Sequence, residues 1–187
     1  MAAPGTSGAE ASAEVGPKVL YGGSFDPPTL GHLDLITKAA AVFPHVEVNL
    51  AVNPEKDNGY FKIPERLELL RAITADLDNV AVEHLPSGFL VGYAEKNGFA
   101  ALVRGLRSER DFGSESDLYK GNRLITPNVQ TIYFPSEPAL DMVSSTMVKV
   151  ILAANDPDWQ RVVSQFVPEP VMDAIVAKET AAEPPQA

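Results

Sequence analysis

Short apolar segments alternate along the chain with longer segments of helical periodicity. Strands are predicted where the apolar segments are rich in β-branched residues, at 18–22, 46–52, 80–85, 100–105 and 129–134. Apolar residues recur at helical spacing between them, over residues 30–43, 64–77, 88–98 and 109–125. Three terminal helices are expected around residues 143–155, 158–166 and 168–178. This alternation is typical of a parallel sheet covered by helices on both faces.

The pattern predicts an α/β fold, namely a Rossmann-like doubly wound sheet of five parallel strands followed by C-terminal helices. A single domain is expected over residues 18–179, between a flexible arm at 1–17 and a flexible tail at 180–187. Thr29 is expected to cap the first helix, and Gly98 to end the third. Ligands of such folds bind at the carboxyl ends of the strands, so the loops after the strands should carry the functional residues.

Composition narrows the classes of function. The chain has 187 residues, and no apolar run reaches the roughly 18 residues of a membrane span. It contains no cysteine, which excludes disulfides, thiolate metal sites and thiol nucleophiles. The first 17 residues lack the features of a secretory signal, so a cytoplasmic location is expected. The net charge of −10 argues against long-range attraction to nucleic acid or a membrane surface, although arginines concentrate between residues 104 and 123.

The turn between the first strand and the first helix reads GGSFDPPTLGH, residues 22–32. Its two glycines allow backbone N–H groups to approach a ligand closely, and Ser24 adds a hydroxyl. Gly31 and His32 fall in the first helical turn, and a helix N-terminus favours anions. The turn matches neither the P-loop pattern nor G-x-G-x-x-G. It therefore predicts a phosphate site in which His32 donates a hydrogen bond to a phosphate oxygen.

Three ordered motifs resemble those of the nucleotidyltransferase superfamily. TLGH, which closes the turn, is similar to the T/H-x-G-H signature, and VSSTMVK at residues 143–149 is similar to the second signature at the start of a helix. RGLR at 104–107, followed by DFGSE at 111–115 and GNR at 121–123, resembles the corresponding segment of bacterial phosphopantetheine adenylyltransferases. The resemblance to that family runs from about residue 18 to residue 152.

That resemblance implies transfer of an adenylyl group from ATP to 4′-phosphopantetheine, which gives dephospho-coenzyme A and pyrophosphate. It implies Mg²⁺ as a cofactor that travels mainly with the ATP phosphates, and the sequence identifies no protein ligand for it. It also implies a homohexamer and feedback inhibition by coenzyme A. The attacking phosphate monoester is already anionic near neutral pH, so catalysis needs orientation and charge stabilisation rather than a nucleophilic side chain.

The resemblance also assigns residues to the site by position. Its catalytic positions are matched by His32, Lys56 and Arg104. ATP binding is implied for Ser24, Phe25, His32, Gly105, Arg107, Glu115, Ser144, Ser145 and Thr146. Binding of phosphopantetheine is implied for Ser24, Lys56, Phe89, Leu90, Arg104, Leu118 and Asn122. Arg107 and Glu115 are expected near the adenosine, and the loops after all five strands are expected to converge on one edge of the sheet.

Two departures from the family pattern leave alternatives open. Asp57 stands where a second basic residue is frequent, and Ser114 stands where a tyrosine is common. A nicotinate mononucleotide adenylyltransferase would account for GGSFDPPTLGH alone, whereas the RGLR, DFGSE and GNR motifs favour phosphopantetheine as the acceptor. A regulatory module that binds a nucleotide or coenzyme A without turnover is the alternative from a different class.

Overall fold

The computed structural model describes residues 16–52 and 58–182. Its strands are β1 (Lys18–Gly23), β2 (His45–Ala51), β3 (Val80–Leu85), β4 (Ala101–Leu106) and β5 (Gln130–Pro135). Its helices are α1 (Leu30–Val42), α2 (Ile63–Ile73), α3 (Leu90–Lys96), α4 (Glu109–Ile125), α5 (Ser145–Ala153), α6 (Trp159–Val163) and α7 (Glu169–Ala182), with a 3₁₀ turn at Pro138–Leu140. The five predicted strands are confirmed.

The five strands form one parallel sheet in the order β3-β2-β1-β4-β5. The chain builds outward from β1 to β3 and then crosses to the other side of β1, where it adds β4 and β5. This confirms the predicted doubly wound fold. Because the order reverses between β1 and β4, the carboxyl ends of these two neighbours open the crevice in which such folds bind ligands.

Both faces of the three central strands, β2, β1 and β4, are covered. On one face, α1 and α2 cover a core cluster that includes Val19, Val48 and Val103, none of which is exposed. On the other face, Val91 and Ala94 of α3 pack over β1 and β4. Successive strand residues point to opposite faces, so a strand buried on both sides appears in the sequence as a continuous apolar run.

The C-terminal helices pack on α2 and support the turn before α1. A third apolar cluster joins Leu69 of α2 to Val148 of α5, Val163 of α6 and Ile175 of α7. The backbone N–H of Leu30, the first residue of α1, donates to the carbonyl of Phe166 over 2.9 Å. The start of α1 is therefore held in place from behind by the segment that follows α6.

Helix ends follow local sequence chemistry. Thr29 occupies the N-cap of α1, and Gly98 has a φ of 70° just after α3, as predicted for both. The helix predicted over residues 64–77 is too long, because α2 ends at Ile73 and the chain turns at Thr74. The hydroxyl of Thr74 donates to the carbonyl of Leu70. Within residues 16–52 and 58–182, no helix has both the length and the apolar character needed to cross a bilayer.

Candidate active site

A cleft of about 440 Å³ opens at the carboxyl ends of β1 and β4, where the strand order reverses. Its walls come from the turn after β1, the start of α1, the β4–α4 segment and the start of α5. Of the predicted site residues, those that line it are Ser24, His32, Arg104, Gly105, Arg107, Glu115, Ser144, Ser145 and Thr146. Three motifs far apart in the sequence thus meet in one cavity.

All five strands run parallel, so their carboxyl ends lie at one edge of the sheet, as expected. Within the described residues, those that line the cleft come from the carboxyl ends of β1 and β4 and from the segments after β1, β4 and β5. After β3, the side chain of Leu90 packs against Gly22, which lines the cleft. Residues predicted for the phosphopantetheine side that do not line this cleft are Phe89, Leu90, Leu118 and Asn122. Lys56 lies outside the described residues.

His32 is oriented through its Nδ1 atom. The backbone N–H of Thr29 donates to Nδ1 over 2.9 Å, and Oγ1 of Thr29 lies 3.0 Å from the same atom. A backbone N–H can only donate, so Nδ1 is the unprotonated nitrogen, and Nε2 carries the proton of the neutral ring. The ring lines the cleft and therefore offers Nε2–H as a hydrogen-bond donor to a ligand.

The environment of His32 keeps its imidazole neutral. Burial lowers the pKa of His32 from 6.5 to about 4, and the positive charge of Arg107 acts in the same direction. At neutral pH the side chain therefore donates from Nε2 without carrying a positive charge.

The turn before α1 holds Phe25 in a conformation that is unusual for a bulky residue. Its φ is 45°, in the left-handed region, and its side chain is only 1% exposed. The ring packs edge-on against Tyr21 and His32, with centroid distances of 5.3 and 5.0 Å. Phe25 therefore packs against the imidazole of His32. Its contact with ATP stays a prediction. Sequence reasoning missed Tyr21, which also lines the cleft, because an aromatic residue inside an apolar strand is indistinguishable from the core.

Arg104 forms a two-contact ion pair with Glu115. Its Nε lies 2.9 Å from Oε2 and its Nη2 lies 2.5 Å from Oε1 of that carboxylate. The hydrogen bonds to Glu115 raise the pKa of Arg104 above its usual value, although burial opposes them. Glu115 was expected near the adenosine, and in this structure its carboxylate engages the arginine of the RGLR motif.

Arg107 is also balanced by a carboxylate. Oδ2 of Asp111 accepts from both the backbone N–H and the Nε of Arg107, each over 3.1 Å. Asp111 was missed as a lining residue, although its spacing of four from Arg107 would have allowed the pair to be predicted. Because both arginines are paired, the attraction of this cleft for anions depends strongly on the N-terminal ends of α1 and α5.

The start of α5 combines structural and ligand-facing hydroxyls. Ser144 is the N-cap, and its Oγ accepts from the backbone N–H of Met147 over 3.2 Å. Ser145 donates its hydroxyl to the carbonyl of Pro27 over 2.8 Å, which ties α5 to the turn before α1. Thr146 lines the cleft and is exposed. The two helix starts are thus joined directly beside the cavity.

The carboxylates of the cleft do not form a metal site. Among the described residues, no group of three or more His, Asp or Glu side chains is placed to hold a metal ion. Asp111 and Glu115 line the cavity, but each is engaged by an arginine. The carboxylates that line the cleft are therefore engaged by arginines in this structure.

The sequence of the chain matches a family profile described as cytidylyltransferase-like over residues 20–151, which is well over half of its length. The chain belongs to this family. It is accordingly a nucleotidyltransferase-type enzyme. The matched region of this cytidylyltransferase-like protein contains TLGH, RGLR and VSSTMVK, the three motifs that meet at the cleft.

Solved structures share the fold of this cytidylyltransferase-like protein at low identity. One is a Vibrio parahaemolyticus protein with a provisional assignment as a nicotinate-nucleotide adenylyltransferase, at 21% identity and a TM-score of 0.62, over 87% of this chain and 93% of that one. Another is Plasmodium falciparum nicotinic acid mononucleotide adenylyltransferase complexed with APC. It has 15% identity and a TM-score of 0.61, over 88% of this chain and 96% of that one. The same enzyme complexed with NaAD has 14% identity and a TM-score of 0.60, over 87% of this chain and 96% of that one.

Proposed function

We propose that the chain transfers the adenylyl group of ATP to 4′-phosphopantetheine, in the cytoplasm, and so forms dephospho-coenzyme A and pyrophosphate. The observation that carries this proposal is the meeting of the TLGH, RGLR and VSST segments in one cleft at the point where strand order reverses. The choice of acceptor depends on RGLR and the DFGSE segment of α4, which resemble the phosphopantetheine enzymes.

ATP binds with its phosphates between the starts of α1 and α5. Both helix N-termini line the cleft, and their partial positive charge favours phosphate oxygens. At α1, the backbone N–H groups of Thr29 and Leu30 are already bonded, to His32 and to the carbonyl of Phe166. Thr146 adds a hydroxyl at the start of α5, where the β- and γ-phosphates are expected. Magnesium enters on the ATP phosphates rather than through a protein site, and no step depends on a metal ligand from the chain.

The chemical step is an in-line displacement at the α-phosphorus. An oxygen of the phosphopantetheine phosphate forms a bond to this phosphorus, the bond to the bridging oxygen of the β-phosphate breaks, and pyrophosphate leaves. The attacking monoester is anionic near neutral pH, so no side chain has to remove its proton. His32 acts as a neutral donor from Nε2 to an oxygen of the α-phosphate, and that interaction strengthens as negative charge builds in the transition state.

The acceptor binds on the Arg104 side of the cleft. Its phosphate competes with the Glu115 carboxylate for the Arg104 guanidinium, whose planar donors suit either anion. Lys56 supplies a second positive charge to this phosphate. The pantetheine arm extends along the residues after β3 and on α4, where Phe89 and Leu118 are 71% and 44% exposed. Leu90 and Asn122 complete that surface.

The test measures pyrophosphate release by the purified chain with ATP, magnesium and each acceptor in turn. Release with 4′-phosphopantetheine, together with the mass of dephospho-coenzyme A in the product, supports the proposal. Release with nicotinate mononucleotide and none with phosphopantetheine identifies the alternative enzyme of the same superfamily. ATP binding without pyrophosphate release from any acceptor identifies a non-catalytic binding module.

Assembly and feedback are part of the same proposal. The chain forms a homohexamer, and coenzyme A inhibits it by competing for the acceptor side of the cleft. Sedimentation velocity tests the first statement, since a single monomeric species would contradict it. Inhibition by coenzyme A that 4′-phosphopantetheine relieves tests the second.

A further inference from the structure

Asp26 is a buried carboxylate in the turn before α1 that the proposed chemistry does not use. It is 4% exposed and accepts hydrogen bonds from the backbone N–H groups of Tyr60 and Phe61, each over 2.8 Å. Its Oδ1 also lies 3.3 Å from Nε of Arg66, and its Oδ2 lies 3.3 Å from Nζ of Lys149. The carboxylate thus ties the turn to the segment before α2 and to α5.

The partner Arg66 binds the same two regions from its own side. Its side chain is 2% exposed, its Nε donates to the carbonyl of Phe61 over 2.7 Å, and its Nη1 donates to the carbonyl of Ser24 over 3.2 Å. Asp26 and Arg66 therefore cross-link the turn backbone to the backbone at residues 60–61. The turn is thus held through the carboxylate of Asp26 and through the backbone carbonyl of Ser24.

A buried ion pair is costly to desolvate, so net stability is a weak explanation for it. Its position offers a better one. Phe25, next to Asp26, has the left-handed φ of 45°, which persists only where surrounding contacts enforce it. The ring of Phe25 packs on the imidazole of His32 at 5.0 Å. Asp26 is thus connected to the histidine through the adjacent residue Phe25 and its ring contact.

We propose that Asp26 is a positioning residue, which sets the geometry of the phosphate site through the turn backbone without contacting the nucleotide. By fixing residues 24–26 against the segment at 60–61, it holds Ser24 and the His32 ring in place before ATP arrives. This inference rests on the proposed function only in that ATP is taken as the ligand of the cleft. It requires no particular acceptor.

The test compares Asp26→Asn with a matched control, Thr126→Val. The Asn variant keeps the shape of the side chain but removes the charge that faces Arg66. The control also removes a buried polar group: Thr126, at the C-terminal end of α4, is 1% exposed and donates its hydroxyl to Glu95 of α3. Isothermal titration with ATP and magnesium gives the affinity, and thermal melting gives Tm. We expect Asp26→Asn to weaken ATP binding about 10–100-fold, because a small displacement in a preorganised site has effects of that order.

The comparison separates positioning from plain stability. Both variants are expected to lower Tm, and Thr126→Val is expected to bind ATP as the unmodified chain does. Asp26→Asn with lowered Tm and unchanged ATP affinity would overturn the proposal. If Asp26→Asn gives no cooperative melting transition, Arg66→Lys takes its place, with lowered Tm and unchanged ATP affinity again overturning the proposal. This variant keeps the positive charge but loses the Nη1 group that donates to the carbonyl of Ser24.

The acceptor hypothesis fails in a different way. An unmodified chain that binds ATP and releases no pyrophosphate with phosphopantetheine refutes the proposed acceptor and leaves the result for Asp26 standing. An unmodified chain that does not bind ATP overturns both. Where turnover is measurable, Asp26→Asn is expected to lower kcat as well as raise the KM for ATP, because the donor at His32 is displaced.

Discussion

The two walls of the cleft are built differently. The turn wall is made of residues 22–32 and the start of α5. It is fixed by buried contacts, since Asp26 and Thr29 are 4% and 1% exposed and the hydroxyl of Ser145 donates to the carbonyl of Pro27. The α4 wall runs from Arg104 to Glu115. Arg107 on this wall is 41% exposed, and none of residues 111–125 of α4 is buried.

This difference indicates what each wall contributes. Donors on the turn wall are fixed by buried contacts before a ligand binds, which is the requirement for stabilising charge without reorganisation. The arginines on the α4 wall are held by carboxylates, and an incoming phosphate can replace these partners. Under the proposed function, the turn wall holds the reacting triphosphate and Arg104 on the α4 wall binds the acceptor phosphate, while the expected contact of Arg107 with the adenosine stays a prediction.

The largest expected effect comes from His32→Ala, on the turn wall. The variant loses a donor to the transition state, so turnover should fall roughly 10²–10³-fold while ATP affinity falls less. Steady-state kinetics and ATP titration measure the two quantities. His45→Ala is the matched control, since His45 is exposed at the start of β2, at the opposite end of the sheet. A loss for His32→Ala that is confined to ATP affinity would contradict the assigned role.

The second effect concerns the α4 wall and is expected to be smaller. Arg104→Met removes a charge-assisted bond to the acceptor phosphate and leaves the Glu115 carboxylate uncompensated, so the KM for phosphopantetheine should rise about 10–100-fold. The KM for ATP should change little. In the double variant Arg104→Met with Glu115→Gln, part of the loss should be recovered, because the repulsion by the carboxylate is removed.

Arg161→Met is the control for the arginine series. Arg161 lies in α6, pairs with Asp158 at 3.6 Å and does not line the cleft. It should leave both KM values unchanged. An Arg104→Met variant that loses ATP and phosphopantetheine affinity equally would show that the two walls do not divide the substrates as proposed.

The smallest effect is a pH dependence of stability that comes from the turn wall. The pKa of His32 is lowered by burial from 6.5 to about 4 in the folded chain, so the unfolded chain binds more protons between these values. Stability is therefore lost as the pH falls below about 6.5. Between about pH 7.5 and pH 5, Tm should fall further for the unmodified chain than for His32→Gln. Parallel curves would show that His32 is not a buried neutral group.

Some features of the site were predictable because local sequence controls them. Thr29 and His32 are three residues apart at a helix start, so the N-cap and its contact with Nδ1 of His32 follow from spacing alone. Arg104 lies near the carboxyl end of β4 and Arg107 directly follows the strand, and parallel strands bring such residues to the same edge. The partners of Asp26 were not predictable, because Tyr60, Phe61 and Lys149 join it only through packing of α2 and α5.

The sequence by itself determined the five strands, the cap of α1 and several residues that line the cleft, since periodicity, turn chemistry and helix-start spacing act within a few residues. Only the tertiary structure decided that β1 and β4 are neighbours, that Leu90 after β3 packs against Gly22, and that Glu115 holds Arg104. These features depend on which apolar faces pack together. No local sequence pattern determines which apolar faces pack together, because this depends on the free energy of the whole core.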